Sequence, residues 1–288
     1  MSSFSPLGRT PVSRRAFLGM AAAAAVGLGV YSTEIERHEL DIVRIPIKLR
    51  NLPDSFRGMR IAQISDIHFD EFTEPFFVRQ TVEKVNSLKP DMVLLTGDYI
   101  SDAPLPAHDA IQHIGPCAEI LGGIECPLRF SILGNHDANV SATGVTEALQ
   151  SHNIPVLANR YMPIERDGKR LWIAGVEDPG TQTPDLSKAI PPSARADGES
   201  VILLSHAPDY ADNVVGHGVD LVLSGHTHGG QIRIPFIPPI RLPELGRKYV
   251  KGHFQLGAMQ LYVNRGIGTV GVPMRFRCPP EITLITLV

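Results

Sequence analysis

The apolar positions of this chain fall mostly into runs rather than alternations. Five short runs, at 59–64, 92–95, 128–133, 201–204 and 219–223, are β-rich and continuously apolar. Such runs predict strands covered on both faces, whereas strict alternation would predict one face in water. Between several of them lie amphipathic stretches with helical spacing, at 75–88, 107–121 and 145–152. Leu40, Ile42, Ile45 and Ile47 suggest an opening strand, followed by the turn-forming "NLPDSFRG". A further strand is expected at 171–176, and the runs at 261–263 and 282–288 suggest a C-terminal pair. "PPSARADGES", residues 191–200, reads as a loop. Strands interleaved with helices predict a layered α/β protein, a single domain over residues 37–288.

Residues 1–36 are a different polymer. "SRRAFLG" precedes an acid-free run of Ala and Gly from 20 to 30, the pattern of a targeting segment. Paired arginines followed by Phe-Leu resemble a twin-arginine export signal, with Gly19 where lysine is common. Export machinery is the partner this implies, and an extracytoplasmic or membrane-anchored location. Ala-x-Ala combinations lie inside the apolar run, so a released protein and an uncleaved anchor both stay open.

With 43% hydrophobic and 20% charged residues, the 288-residue chain has ample material for a core. A net charge of −3 argues against a protein that works by neutralising nucleic-acid phosphates. Cys117, Cys126 and Cys278 have no CxxC spacing and read as ordinary small residues, with a Cys117–Cys126 bridge as the lesser alternative.

The residues at the end of each apolar run carry the chemistry. "IAQISDIH" ends in Asp66 and His68, "DMVLLTGD" in Asp98, and "LRFSILGNHD" in Asn135, His136 and Asp137. "VILLSH" ends in His206 and "VDLVLSGHTH" in His226 and His228. Taken singly, Asp98 would pass as a helix cap and His206 as a satisfied core histidine. Ligands of open α/β sheets collect at the carboxyl ends of the strands, and five strands deliver Asp, His and Asn to that edge. Their coincidence points to a metal cage.

The order D-x-H, GD, GNHD, H and GHxH resembles the calcineurin-like metallophosphoesterases over residues 59–230. The resemblance implies two mixed β-sheets flanked by helices and a pair of metal ions. By motif, Asp66, His68 and His228 would hold one ion, Asn135, His206 and His226 the other, and Asp98 would bridge them. A shared carboxylate suits two cations about 3.5–4 Å apart, and mixed imidazole, carboxylate and amide donors suit Mn, Fe or Zn. A hydroxide between the metals would attack the phosphoester, since coordination lowers the pKa of water toward about 7. His136 would face the substrate as acid or charge stabiliser.

Two positions depart from the family pattern. Ser205 precedes His206 where glycine is usual, which costs little. Ser101 stands where protein phosphatases of the family keep an aspartate to orient the catalytic histidine, with Asp102 one residue further along. That favours a phosphodiesterase-like branch, and Asp137 is an alternative partner for His136. The leader, "SHAPD", "GHTHGGQIRIP", "VNRGIG" and "RCPPEI" resemble the bacterial exported or membrane-associated branch typified by YkuE and YaeI. That branch implies a lipid-linked phosphoester, with the pyrophosphate of UDP-2,3-diacylglucosamine in lipid A synthesis as one instance.

Arg265 reads equally as a phosphate clamp and as a structural arginine in a turn. "IRIPFIPPIRLPEL", residues 232–245, holds four prolines and reads as a stiff loop beside the metal cleft. Its Phe236 and Ile237 would either fold over an apolar rim or face acyl chains or a bilayer. Two competing functions are a non-catalytic scaffold of the same fold, expected to lack ligands, and a nuclease, expected to carry a basic groove.

Overall fold

The structure, a computed structural model, describes residues 13–70, 72–102 and 107–288. The described strands are β1 (Asp41–Ile47), β2 (Arg60–Ile64), β3 (Met92–Leu95), β4 (Arg129–Ser131), β5 (Arg160–Arg166), β6 (Lys169–Gly175), β7 (Val201–Leu204), β8 (Leu221–Ser224), β9 (Gly252–Leu256), β10 (Met259–Val263) and β11 (Glu281–Leu287). The helices are α1 (Arg14–Val30), α2 (Pro75–Ser87), α3 (Ala107–Ala110), α4 (Ile114–Gly122), α5 (Asn135–Ser151), α6 (Leu186–Ala189), α7 (Pro192–Asp197) and α8 (Ala211–Val214).

Two mixed sheets stack face to face. One has the order β1-β11-β2-β3-β4, the other β5-β6-β7-β8-β10-β9. β2, β3 and β4 are parallel, as are β6, β7, β8 and β10. The fully apolar strands explain the stacking, because each has two faces to cover. In β3, Met92 and Leu94 enter the layer between the sheets while Val93 and Leu95 face the helices. In β7, Ile202 and Leu204 point inward and Val201 and Leu203 outward. Helices α2, α4 and α5 cover the outer face of the first sheet through Phe77, Val82, Leu121 and Leu149. Ala189, Ala194, Ala211 and Val214 of α6, α7 and α8 cover the second. The single domain is therefore a four-layer α/β/β/α stack.

Some expectations need correction. The runs at 261–263 and 282–288 do not pair: β10 lies between β8 and β9, and β11 lies between β1 and β2 in the other sheet. Residues 191–200 hold the short helix α7, started by Pro191 and Pro192 and ended by Gly198 at φ 66°. The stretch 145–152 is the second half of α5, which is interrupted at Ser141. The edge strands β5 and β9 have no apolar run, because edge exposure leaves only part of each strand buried. Cys117 and Cys126 are free and buried, so they do not form a bridge.

The layer between the sheets predicts a stability cost. Leu94→Ala removes a side chain that is fully buried there. It should destabilise the protein by about 2–5 kcal/mol in a guanidinium titration. A loss below about 1 kcal/mol would mean that the two sheets do not pack through this residue.

Candidate metal centre

The residues singled out by sequence leave the carboxyl ends of strands in both sheets. Asp66 and His68 follow β2, Asp98 follows β3, and Asn135 and His136 open α5 after β4. His206 follows β7, and His226 and His228 follow β8. The site therefore straddles the two sheets rather than one edge of a single sheet. Gln63 ties the sheets beneath it, its Nε2 donating to Ser224 O of β8 at 3.0 Å.

Three groups of potential ligand atoms converge, each with its atoms within 4.8 Å of one another. They are Asp66, His68 and His228; His68, Asp98 and His136; and Asp98, His206 and His226. Asp98 belongs to two groups: its Oδ2 lies 3.5 Å from His68 Nε2 and 2.9 Å from His206 Nε2. Asn135, the residue before His136, has a buried Oδ1 with no hydrogen-bond partner.

The outer hydrogen bonds decide which ring nitrogen faces inward. His206 Nδ1 is 2.6 Å from Thr96 O, which only accepts, so Nδ1 carries a proton and Nε2 faces Asp98; although burial opposes it, the Asp98 charge raises His206 well above its ordinary value. His226 Nε2 donates to Glu244 O at 2.7 Å, leaving Nδ1 for the centre. Ser101 Oγ donates to Asp70 Oδ2 at 2.7 Å and so accepts from His68 Nδ1 at 3.1 Å, which frees His68 Nε2. That nitrogen faces His228 Nε2 at 3.1 Å, and His228 Nε2 lies 3.4 Å from Asp66 Oδ1. Acceptor atoms crowded in a buried space are costly without a cation among them. The donor set fits a pair of metal ions.

Burial shapes the protonation of these groups, and the backbone that carries them is unusual. Burial raises the Asp66 carboxyl to about 6. Burial, aided by the His136 charge, lowers His68 to about 3, and burial likewise lowers His226 to about 4. Asp66, His68, Asp98, His226 and His228 all have positive φ, from 45° to 72°. Such conformations cost on the order of 1–3 kcal/mol each and mark sites where the surroundings impose the turn. Neighbouring glycines make room for the carboxylates. A Cβ on Gly134 would lie 2.1 Å from Asp98 Oδ1, and one on Gly225 2.1 Å from Asp66 Oδ2.

His136 lies at the rim, its ring edge-on to His68 with centroids 4.7 Å apart. Its Nδ1 is 2.5 Å from Asp102 Oδ1, and Asn139 Nδ2 donates to Asp102 Oδ2 at 2.7 Å. Although burial opposes it, the charges of Asp98 and Asp102 raise His136 to about 9. Asp102, not Asp137, is thus the partner of His136. Asp137 is fully buried and accepts the backbone N–H groups of Asp98, Tyr99 and Gly134 at 2.8–2.9 Å, pinning the turn after β3 to the start of α5. Ser205 fits without strain, its Oγ donating to Ala207 O at 3.4 Å.

Arg265 is not free to clamp a phosphate. Its Nη2 pairs with Asp41 at 2.7 Å, its Nε bonds Glu281, and the residue is 9% exposed. The arginine that sequence reading passed over is Arg275, fully buried, whose guanidinium donates to the carbonyls of Arg265, Gly266 and Gly268 beneath His228. Phe236 and Ile237 stand exposed on a loop without helix or strand, 106% and 54% accessible. That loop returns to the centre at Glu244, the hydrogen-bond partner of His226.

Residues 59–230 match the calcineurin-like phosphoesterase family model. The chain belongs to this family. It is similar to the uncharacterized metallophosphoesterase YkuE of Bacillus subtilis, 36% identical over 96% of this chain and 98% of that protein. The phosphodiesterase YaeI of Escherichia coli is 28% identical over 96% of this chain and all of its own length. The UDP-2,3-diacylglucosamine pyrophosphatase LpxG of Chlamydia trachomatis is 28% identical over 91% of this chain and 94% of its own. The chain is accordingly a metal-dependent phosphoric ester hydrolase.

If Asp102 orients His136, Asp102→Asn should lower kcat on bis(p-nitrophenyl) phosphate by about 10–100-fold. Metal content by elemental analysis and KM should stay near the parent values. Loss of metal with activity would place Asp102 in support of the ligands instead.

Proposed function

We propose that this protein hydrolyses a phosphodiester or pyrophosphate bond with two metal ions. Asp66, His68 and His228 hold one, Asn135, His206 and His226 the other, and Asp98 contributes to both. The observation that carries this reading is the position of Asp98, whose one carboxylate touches both histidine groups. The mixed donors suit Mn, Fe or Zn. Such ions, when bound, supply Lewis acidity toward phosphoryl oxygens and lower the pKa of coordinated water.

The remaining work falls to the chain. His136, held by Asp102, keeps a proton available for the leaving oxygen and offsets charge on the phosphoryl group. This pair would have no task in a non-catalytic scaffold, and the complete ligand set argues the same way. A net charge of −3 offers little to a nucleic-acid backbone.

The substrate is a lipid-linked phosphoester of the cell envelope, of the class represented by UDP-2,3-diacylglucosamine. The similarity to LpxG supports this reading, as does the exposed apolar loop carrying Phe236 and Ile237, whose chain follows His228 and returns at Glu244 to bond His226. The protein reaches the envelope by its N-terminal segment, with Arg14 and Arg15 presented to a twin-arginine route. Turnover by metal-loaded protein of monoesters, diesters, nucleotide-sugar pyrophosphates and phospholipids tests the substrate class, and preference for a soluble monoester contradicts it.

Two variants separate binding from chemistry. Asp98→Asn should bring metal content to one per chain or below and cost more activity than any other single ligand change. His136→Ala should keep both metals and lose about 10²–10⁴-fold in rate. Two metals and near-full activity in Asp98→Asn, or metal loss in His136→Ala, would overturn these roles.

A further inference from the structure

The apolar leader helix does not end in a free linker. Helix α1 buries no side chain, and it runs on through Tyr31–Ile35 and Glu36–His38 into the folded body. There Ser32 and Glu36 are each 3% exposed. Ser32 O accepts the Arg275 N–H at 3.0 Å, and Glu36 Oε1 accepts the Cys278 N–H at 2.7 Å. Arg37 pairs with Glu74 at 2.6 Å and donates to Phe72 O at 2.6 Å, and His38 packs edge-on against Phe77. Removing residues up to 36 would strip a buried acid and leave a buried N–H at Cys278 unpaired, which destabilises the fold. The apolar part of this segment, ahead of the docked Ser32, passes by length and composition as a candidate membrane span.

The same short segment that receives the helix also holds the exposed loop. Arg275 takes Ser32, while its neighbour Phe276 bridges to Ile232 and accepts the Arg233 N–H at 2.8 Å. From there the chain runs out through Ile234, Phe236, Ile237 and Ile240, all exposed. Arg233, Lys251 and Arg277 line the cleft beside this tip. An apolar tip with a cationic collar suits a bilayer of anionic phospholipid, where the apolar groups enter the acyl boundary and the cations meet head groups. The loop then returns to the metal centre at Glu244.

We propose that α1 stays attached as a membrane anchor and that the loop at 234–240 is a second contact with the same leaflet. The candidate metal centre then opens at the lipid surface. This rests only on the proposed envelope location, and on none of the catalytic roles.

The test uses the full-length chain in phosphatidylethanolamine–phosphatidylglycerol vesicles. Ile237→Cys carries an environment-sensitive fluorophore, and Lys169→Cys serves as the control. Lys169 is exposed at the start of β6, the amino end of a strand parallel to β7 and so away from the carboxyl ends that carry the centre, and the three native cysteines are buried. Spin-labelled phospholipid should quench the label at 237 about twofold, as for a group about 5–10 Å deep, and leave the label at 169 unchanged. Intact mass of the protein extracted from cell membranes should show α1, Arg14–Val30, still present. Equal quenching at the two positions, or a mature chain that starts within or beyond α1, overturns the proposal. Hydrolysis is measured on the same samples, so a failure of the catalytic reading leaves the quenching result independent.

Discussion

A single buried carboxylate organises this molecule. Asp98 has a left-handed backbone and sits between His68 from one sheet and His206 from the other. An unpaired charge in that position would be strongly unfavourable, and the structure surrounds it with donors and ligand groups. Its Oδ1 accepts the His136 N–H at 3.0 Å, its own N–H is held by Asp137, and Gly134 leaves the space it fills. The stacking of two parallel-rich sheets serves this arrangement. It brings the carboxyl ends of β2, β3 and β4 against those of β7 and β8, which no single sheet would do within so short a chain.

The histidines follow from the same constraint. For three of them the inner ring nitrogen is set by a fixed outer partner: Thr96 O for His206, Glu244 O for His226 and the Ser101–Asp70 pair for His68. Locking the rings in advance removes rotamer freedom that metal binding would otherwise have to offset. The left-handed turns at five of the candidate ligands store strain in a frame stiff enough to hold it. Arg275 extends that frame outward, linking the carbonyls under His228 to the end of the leader helix.

Much of this was legible in the sequence, and for a physical reason. Strands buried on both faces must be continuously apolar, so polar residues at their ends stand out; Asp98 and His206, ordinary when taken singly, became visible because five strands end in such residues. Edge strands β5 and β9 escaped because an edge keeps much of its length in water. The separation of β10 from β11 escaped because local pattern carries no information on which sheet a strand joins. The partner of His136 depended on the path of the turn after β3, which brings Asp102 rather than Asp137 to the ring. Arg265 looked available because nothing near it in sequence announces Asp41, more than two hundred residues away.

On the function proposed above, Asp98 would join two metal ions into one centre. Electron paramagnetic resonance of the protein loaded with Mn(II), with manganese counted on the same sample, decides this. The expected result is two manganese ions per chain and the spectrum of an exchange-coupled pair. One ion per chain with the signal of isolated Mn(II), or two ions with no coupling, would contradict it.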